Sequence, residues 1–245
     1  MLADVEKTVN ELVEWIKEYF EKNGKGCSAV LGISGGKDSS VTAALLAKAL
    51  GKERVVGVMM PDGVQPDIPD SRQLVDFLGI RNYTVNIGNT TTALKEALSE
   101  AGCEITKDVK INVPPRVRMT VLYAVAQGLP EGGRVINTCN KSEDYIGYST
   151  KFGDSAGDVS ILAAFTVEEV LQIGDYLGLP DNLVHKKPSD GLSGMSDEDK
   201  IGFSYATLDK YIATGVCEDE EIKNKIDRMH RLNLHKLEPM PHFEK

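Results

Sequence analysis

The sequence predicts an α/β fold, with a doubly wound, mostly parallel sheet and helices on both faces. Three observations carry this. Short apolar runs alternate with stretches of helical apolar spacing along most of the 245 residues, a pattern that strand–helix–strand units produce. The apolar runs are brief and bounded by Gly or Pro, as buried strands are. A glycine-rich turn joins the first strand directly to a helix, where an open parallel sheet places its ligand.

Each element follows in order. Residues 4–22 set Val5, Val9, Leu12, Val13, Ile16, Tyr19 and Phe20 at helical spacing, and Asn23-Gly24-Lys25-Gly26 ends that helix. Residues 28–33 form the first strand, and a helix runs from about Asp38 to Leu50, stopped by Gly51. Residues 55–60 form the second strand, ended by Pro61-Asp62-Gly63. A helix over 69–78, a strand over 81–87 and a helix over 91–101 come next. Pro114-Pro115 suits the first turn of a helix over 115–128. Residues 134–138 make a fourth strand, and Thr166-x-x-Glu169 caps a helix reaching Leu177, closed by Gly178. Residues 198–213 and 218–232 are further helical stretches. The span 180–200, with Pro180, Pro188, Gly191 and Gly194, has no periodicity. A loop that long in a compact domain is usually functional. No repeat or low-complexity linker divides the chain, so residues 1–245 read as one domain.

Composition narrows the partners. The net charge is −9, from 37 acids and 28 bases, which disfavours nucleic acid and membrane surfaces. No apolar run reaches the roughly 18 residues of a membrane span, and Asp4 and Glu6 stand where a basic signal segment would begin. A cytoplasmic location is expected. Cys27, Cys103, Cys139 and Cys217 form no CxxC pair, and His230 and His235 have poor metal-ligand spacing.

The chemistry concentrates in Gly32-Ile33-Ser34-Gly35-Gly36-Lys37-Asp38-Ser39. The glycines let backbone N–H groups approach a ligand, and the helix that follows favours an anion at its start. Ser34 and Ser39 add donors and Lys37 adds charge. Asp38 is out of place beside phosphates unless a Mg²⁺ ion lies between them. The nucleoside-triphosphatase loop is excluded, because Leu31 stands where its first glycine belongs and Asp38 where its Ser or Thr belongs. The dinucleotide fingerprint is excluded by Ser34. The Ser-Gly-Gly-x-Asp-Ser arrangement instead resembles the N-type ATP pyrophosphatase superfamily, whose adenine nucleotide alpha hydrolase-like fold binds ATP through this loop. That resemblance implies transfer of AMP to a carboxyl or carbonyl oxygen, then displacement by nitrogen or sulfur.

Residues 137–158 narrow the substrate. Thr138 ends a strand, so it and Glu143 are placed to face the loop, and Glu143 with Asp38 gives two carboxylates for one Mg²⁺. Taken alone, Glu143 reads as a solvated helix acid. The run Asn137-Thr138, Asn140-Lys141-Ser142-Glu143, Gly147-Tyr148, Thr150-Lys151, Gly153-Asp154 and Asp158 resembles the ammonia-dependent NAD synthetase family. So do Arg116-Val117-Arg118-Met119, Lys187-Pro188-Ser189-Asp190-Gly191-Leu192, the stretch from Ser196 to Tyr205, and His235-Lys236. The resemblance covers about residues 5 to 240.

It implies amidation of deamido-NAD by ammonia, with ATP cleaved to AMP and pyrophosphate. It also implies roles. Residues 32–39, Thr138 and Ser189 would contact ATP; Asp38 and Glu143 would bind Mg²⁺; and Asp38, Glu143 and Lys37 would act in catalysis. Arg116, Arg118, Lys151, Asp158, His235 and Lys236 would contact deamido-NAD. A homodimer is implied as well, with the apolar faces of the first helix and of the helices over 91–128 as candidate surfaces. Two departures stand out. The family's ATP-contacting lysine is Val167 here, leaving Lys186 or Lys187 to supply that charge, and Ser189 replaces a threonine. Other ATP pyrophosphatases that amidate or thiolate, and a nucleotide sensor without chemistry, are the competing readings. The two carboxylates argue against the sensor.

Overall fold

In the computed structural model, residues 1–65, 68–186 and 196–244 are described. Five strands form one sheet: β1 (Ser28–Gly32), β2 (Val55–Met59), β3 (Arg81–Thr84), β4 (Gly133–Asn137) and β5 (Val159–Ser160). Their order is β3-β2-β1-β4-β5, and every pairing is parallel. The chain thus winds one way from β1 to β3 and the other way from β4 to β5, as a doubly wound sheet does. Register sets Ala29 beside Val55 and Arg134, so β1 is the central strand.

One face is covered by α1 (Val5–Asn23), α2 (Lys37–Leu50), α3 (Ile68–Leu78), α7 (Val167–Tyr176) and the single turn α8 (Asp181–Val184). Its core joins Val9, Ile16 and Phe20 of α1 to Leu31, Leu45, Leu46, Leu74 and Ile173. The other face carries α5 (Lys107–Gly128), with α4 (Gly88–Glu100) beside it, and packs Val113, Val117 and Ala126 on Val30, Val56, Val58 and Val135. A third cluster joins α6 (Lys141–Ile146), α10 (Tyr205–Thr214) and α11 (Glu220–Asn233), with the short α9 (Asp197–Ile201) alongside. Among the described residues no helix is long and apolar enough to cross a membrane.

Several boundaries differ from those read in the sequence. The helix expected to open at Pro115 begins at Lys107, because the Thr106 side chain accepts from the Val109 N–H and starts it earlier. Pro114 and Pro115 therefore lie inside α5 and remove the ladder donors to the Lys110 and Ile111 carbonyls, while the Asn112 side-chain amide bonds the Asp108 carbonyl earlier in the helix. The stretch expected as one helix over 198–213 breaks at Gly202, which has φ +79° and closes α9. The span expected as a structureless loop contains α8. The edge strand β3 is exposed along its four residues and ends at Thr84, short of Ile87. Neither α6 nor β5 was expected; both are short.

Candidate functional site

A cavity of about 370 Å³ opens where β1 and β4 diverge, at the carboxyl ends of the strands. This is the switch point of the sheet, where an open α/β fold leaves a crevice. Gly32, Ile33, Ser34, Gly36, Lys37, Asp38 and Ser39 line one side, and Thr138 and Glu143 the other. Arg118, Met119 and Leu122 of α5, with Met60, Gln65 and Ile68, extend the wall, and Asp154, Lys186 and Asp197 complete its charged lining.

The glycine loop is braced from within. Ser39 Oγ receives the Ser34 N–H at 3.3 Å and lies 3.0 Å from Ser34 Oγ, which in turn receives the Gly36 N–H at 3.2 Å. Ser71 donates to the Ile33 carbonyl at 3.1 Å, tying the loop to α3. Gly35 has φ +79°, and a Cβ there would come within 2.8 Å of Asp70 Cβ and 2.9 Å of the Ser71 nitrogen. Only glycine lets α3 approach so closely. Gly36 then caps α2, whose first-turn N–H groups have no intrahelical partner and face the cavity mouth.

The charged centre is built from both halves of the sheet. Asn140, fully buried at the end of β4, donates through Nδ2 to Asp38 Oδ1 at 2.9 Å and accepts the Glu143 N–H at 3.0 Å. The free oxygens of the two carboxylates turn to one ammonium. Lys37 Nζ lies 2.7 Å from Asp38 Oδ2 and 3.9 Å from Glu143 Oε1. Lys37 is only 5% exposed, with its Nζ 5.7 Å from the centre of the Tyr205 ring. Burial works against its charge, but Asp38 and Glu143 outweigh burial and hold its pKa above the usual lysine value. Burial and the Asp38 charge raise the Glu143 carboxyl. Burial also raises Asp154 and lowers Arg118, which donates to the Met60 carbonyl at 3.0 Å.

The other expected contacts divide into two groups. Arg118 reaches the cavity. Among the described residues, Arg116, Lys151, Asp158, His235 and Lys236 do not line it. Four of these five meet at a second place. Arg116 donates to the Lys151 carbonyl at 3.3 Å, Lys151 Nζ donates to the His235 carbonyl, and Lys236 Nζ donates to Gly147 and Ser149 carbonyls at 2.6 and 2.8 Å. The C-terminal segment is thus pinned to the 147–151 turn. Next to it Phe152 has φ +59°, an uncommon conformation for a bulky residue. The Asp158 carboxylate accepts the Val135 N–H at 2.7 Å and the Tyr123 hydroxyl at 3.3 Å, which locks β5 to β4.

Val167 is buried among Ile146, Ile201, Phe203 and Leu208, and Thr166 Oγ belongs to a capping box with Glu169. Lys186 lines the cavity and pairs with Asp70 at 2.5 Å. Ser189 and Lys187 lie outside the described residues. Asn140 and Asp197 join this lining or its bracing without having been singled out as site residues, whereas Lys186, one of the two lysines expected to supply the charge missing at Val167, does line the cavity. For Asn140 the signal was present, since Asn140-x-x-Glu143 is a capping box. Among the described residues no three of His, Cys, Asp and Glu cluster as metal ligands.

Comparison with known proteins gives a consistent picture. The family model described as NAD synthase matches residues 8–243. The NH(3)-dependent NAD(+) synthetase of Pyrococcus furiosus is 38% identical, covering 91% of this chain and 84% of that one. That of Finegoldia magna is 37% identical over 97% and 96%. Among solved structures, the NMN synthetase of Francisella tularensis matches with a TM-score of 0.89 at 31% identity, over 98% and 99% of the two chains. The NH3-dependent NAD synthetase of Campylobacter jejuni matches with 0.79 at 26%, over 99% and 100%.

Proposed function

The chain belongs to the NAD synthase family, and from that premise we propose how its own residues amidate deamido-NAD. The protein is a ligase. It joins ammonia to the nicotinate carboxylate of deamido-NAD at the expense of ATP, giving NAD, AMP and pyrophosphate through an adenylated carboxylate. The observation that supports the assignment of roles is the meeting of Asp38 and Glu143 over the glycine loop at the sheet's switch point.

A carboxylate resists nucleophiles because its leaving group would be oxide. Transfer of AMP gives it a good one. The α2 N–H groups and the Ser34 and Ser39 hydroxyls hold the phosphates as charge develops on pyrophosphate. Lys186, on the cavity wall, supplies the positive charge that Val167 does not. Thr138 at the end of β4 and, outside the described residues, Ser189 complete the ATP contacts. Arg118 faces the acceptor carboxylate from α5. Arg116, Lys151, Asp158, His235 and Lys236 form or brace the outer part of the dinucleotide site. The apolar wall of Met60, Met119 and Leu122 excludes water, which would hydrolyse the adenylate.

The donors fit Mg²⁺. Two carboxylate oxygens converge on a point already occupied by a cation, and this ion is usually held by one or two carboxylates with phosphates and water. Asp38 and Glu143 would hold it, and it would neutralise phosphate charge and polarise the phosphoryl oxygens. A single domain, a cytoplasmic location and a homodimer complete the proposal. Exposed Leu94 of α4 and Ile111 of α5 favour the helices over 88–128 as the dimer surface.

One observation favours a second acceptor. The TM-score is higher with an NMN synthetase than with NAD synthetases, at similar coverage. One assay tests both readings. The protein is given ATP, Mg²⁺ and ammonium with either deamido-NAD or nicotinate mononucleotide, and the products are resolved. We expect AMP and NAD, with kcat/KM higher for the dinucleotide. A preference for the mononucleotide would reassign the acceptor, and ADP in place of AMP would refute adenylation.

A further inference from the structure

Lys37 occupies an unusual place. Its loop neighbours offer backbone to the cavity, but its own side chain turns inward, between the two carboxylates. The ammonium touches Asp38 Oδ2 at 2.7 Å and lies 3.9 Å from Glu143 Oε1. The remaining oxygens are held by Asn140, through its side chain to Asp38 and its backbone N–H to Glu143 at 3.5 Å. The free oxygens therefore point to one spot.

An ion bound to both would sit about 2.1 Å from each oxygen. Those are the oxygens Nζ now approaches, at 2.7 and 3.9 Å, and two cations do not share them. We propose that the Lys37 ammonium is a built-in competitor for the divalent cation at the Asp38–Glu143 pair, and that it must leave Asp38 for the ion to bind.

The proposal rests on the assignment of that pair as the metal ligands. Lys37 is 5% exposed with the Tyr205 ring nearby, so water offers it little. The anion able to receive it is the nucleotide phosphate beside the loop. Ion and nucleotide loading are then coupled. The ion takes the carboxylates as the lysine turns to the phosphates, and the carboxylates never face each other without a cation. Without nucleotide, the ion competes against a tethered positive charge and binds weakly.

The test uses Mn²⁺ as the probe, titrated at pH 8 into the nucleotide-free full chain, with free ion read by electron paramagnetic resonance. Four proteins are compared: the parent, Lys37→Gln, Lys37→Arg and Asp38→Asn. Removing a unit charge a few ångströms from the ion should tighten binding in Lys37→Gln by roughly ten-fold or more. Lys37→Arg should match the parent, and Asp38→Asn should bind worse than either. Equal or weaker binding in Lys37→Gln, with Asp38→Asn still defective, overturns the competition and leaves the metal pair standing. Indistinguishable or undetectable binding in all four overturns both. If Lys37→Gln does not fold, the parent still decides. The ε-ammonium resonance lost in Lys37→Arg should shift once Mg²⁺ is raised to saturation, and a resonance unmoved at saturation refutes the exchange.

Discussion

Asn140→Ala tests whether one side chain holds the two halves of the site together. Asn140 is fully buried and makes two separable bonds. Its Oδ1 accepts the Glu143 N–H at 3.0 Å, as an N-cap of α6. Its Nδ2 donates to Asp38 Oδ1 at 2.9 Å, across 102 residues of chain. Loss of the cap costs about 1 kcal/mol. Leaving a carboxylate oxygen without its donor costs about 1.5–3 kcal/mol, and the lower half applies because Asp38 is 18% exposed and water replaces part of the bond. The alanine variant should therefore lose about 2.5–3 kcal/mol in urea unfolding. Asn140→Ser retains a capping oxygen but is too short to reach Asp38, so it should lose about 1.5–2 kcal/mol. Both should lower kcat/KM for ATP roughly ten-fold or more, since a misplaced carboxylate weakens positioning. If alanine costs less than about 0.5 kcal/mol, the bonding argument fails. If serine and alanine are indistinguishable in stability, the cap contributes nothing.

Four further outcomes follow. Asp38→Asn should fold like the parent by circular dichroism yet form no AMP; near-normal turnover would remove Asp38 from the chemistry. Gly35→Ala should lose about 1–3 kcal/mol, because its φ of +79° and the 2.8 Å approach of Asp70 strain any side chain; an unchanged melting curve would contradict that geometry. Lys186→Met should raise KM for ATP roughly ten-fold with a smaller change in kcat if Lys186 binds phosphate, whereas a selective fall in kcat would assign it to the reaction itself. Glu143 has a folded pKa raised by burial and by Asp38. Its favourable contribution is present at low pH and is lost as pH rises through the folded value. In chelator, Glu143→Gln should therefore gain stability over the parent between pH 5 and pH 8, the gain being absent at the acid end; a constant difference across that range would deny the raised pKa.

The strands β1, β2 and β4 were legible because they are apolar runs beside Gly or Pro, a local signal. The helix over 107–128 was read too short because two prolines mimic a start, whereas Thr106 upstream makes the actual cap. The elements α6, α8 and β5 have six residues or fewer. Such pieces show little periodicity, and tertiary partners hold them: β5, for example, pairs with β4. The same division runs through the site. Asp38, Thr138 and Glu143 sit in motifs whose residue types betray a phosphate and a cation. Lys186 and Asp197 flank a stretch whose spacing says nothing about where its ends return. The inward turn of Lys37 was not legible either, since a lysine in a glycine loop reads as a phosphate contact until its burial is known.

The seam between β1 and β4 also governs when the protein can act. The glycine loop belongs to the first half of the chain, and Asn140 and Glu143 are brought to it by the pairing of β4 with β1. Contacts of such sequence separation are slow to form. A nascent chain ending before β4 would carry a cradle for ATP without the second carboxylate. It would gain nothing from holding the nucleotide and could not spend it. At the proposed site, nucleotide and ion together would therefore stabilise only the finished sheet, tying the onset of ATP cleavage to completion of the fold.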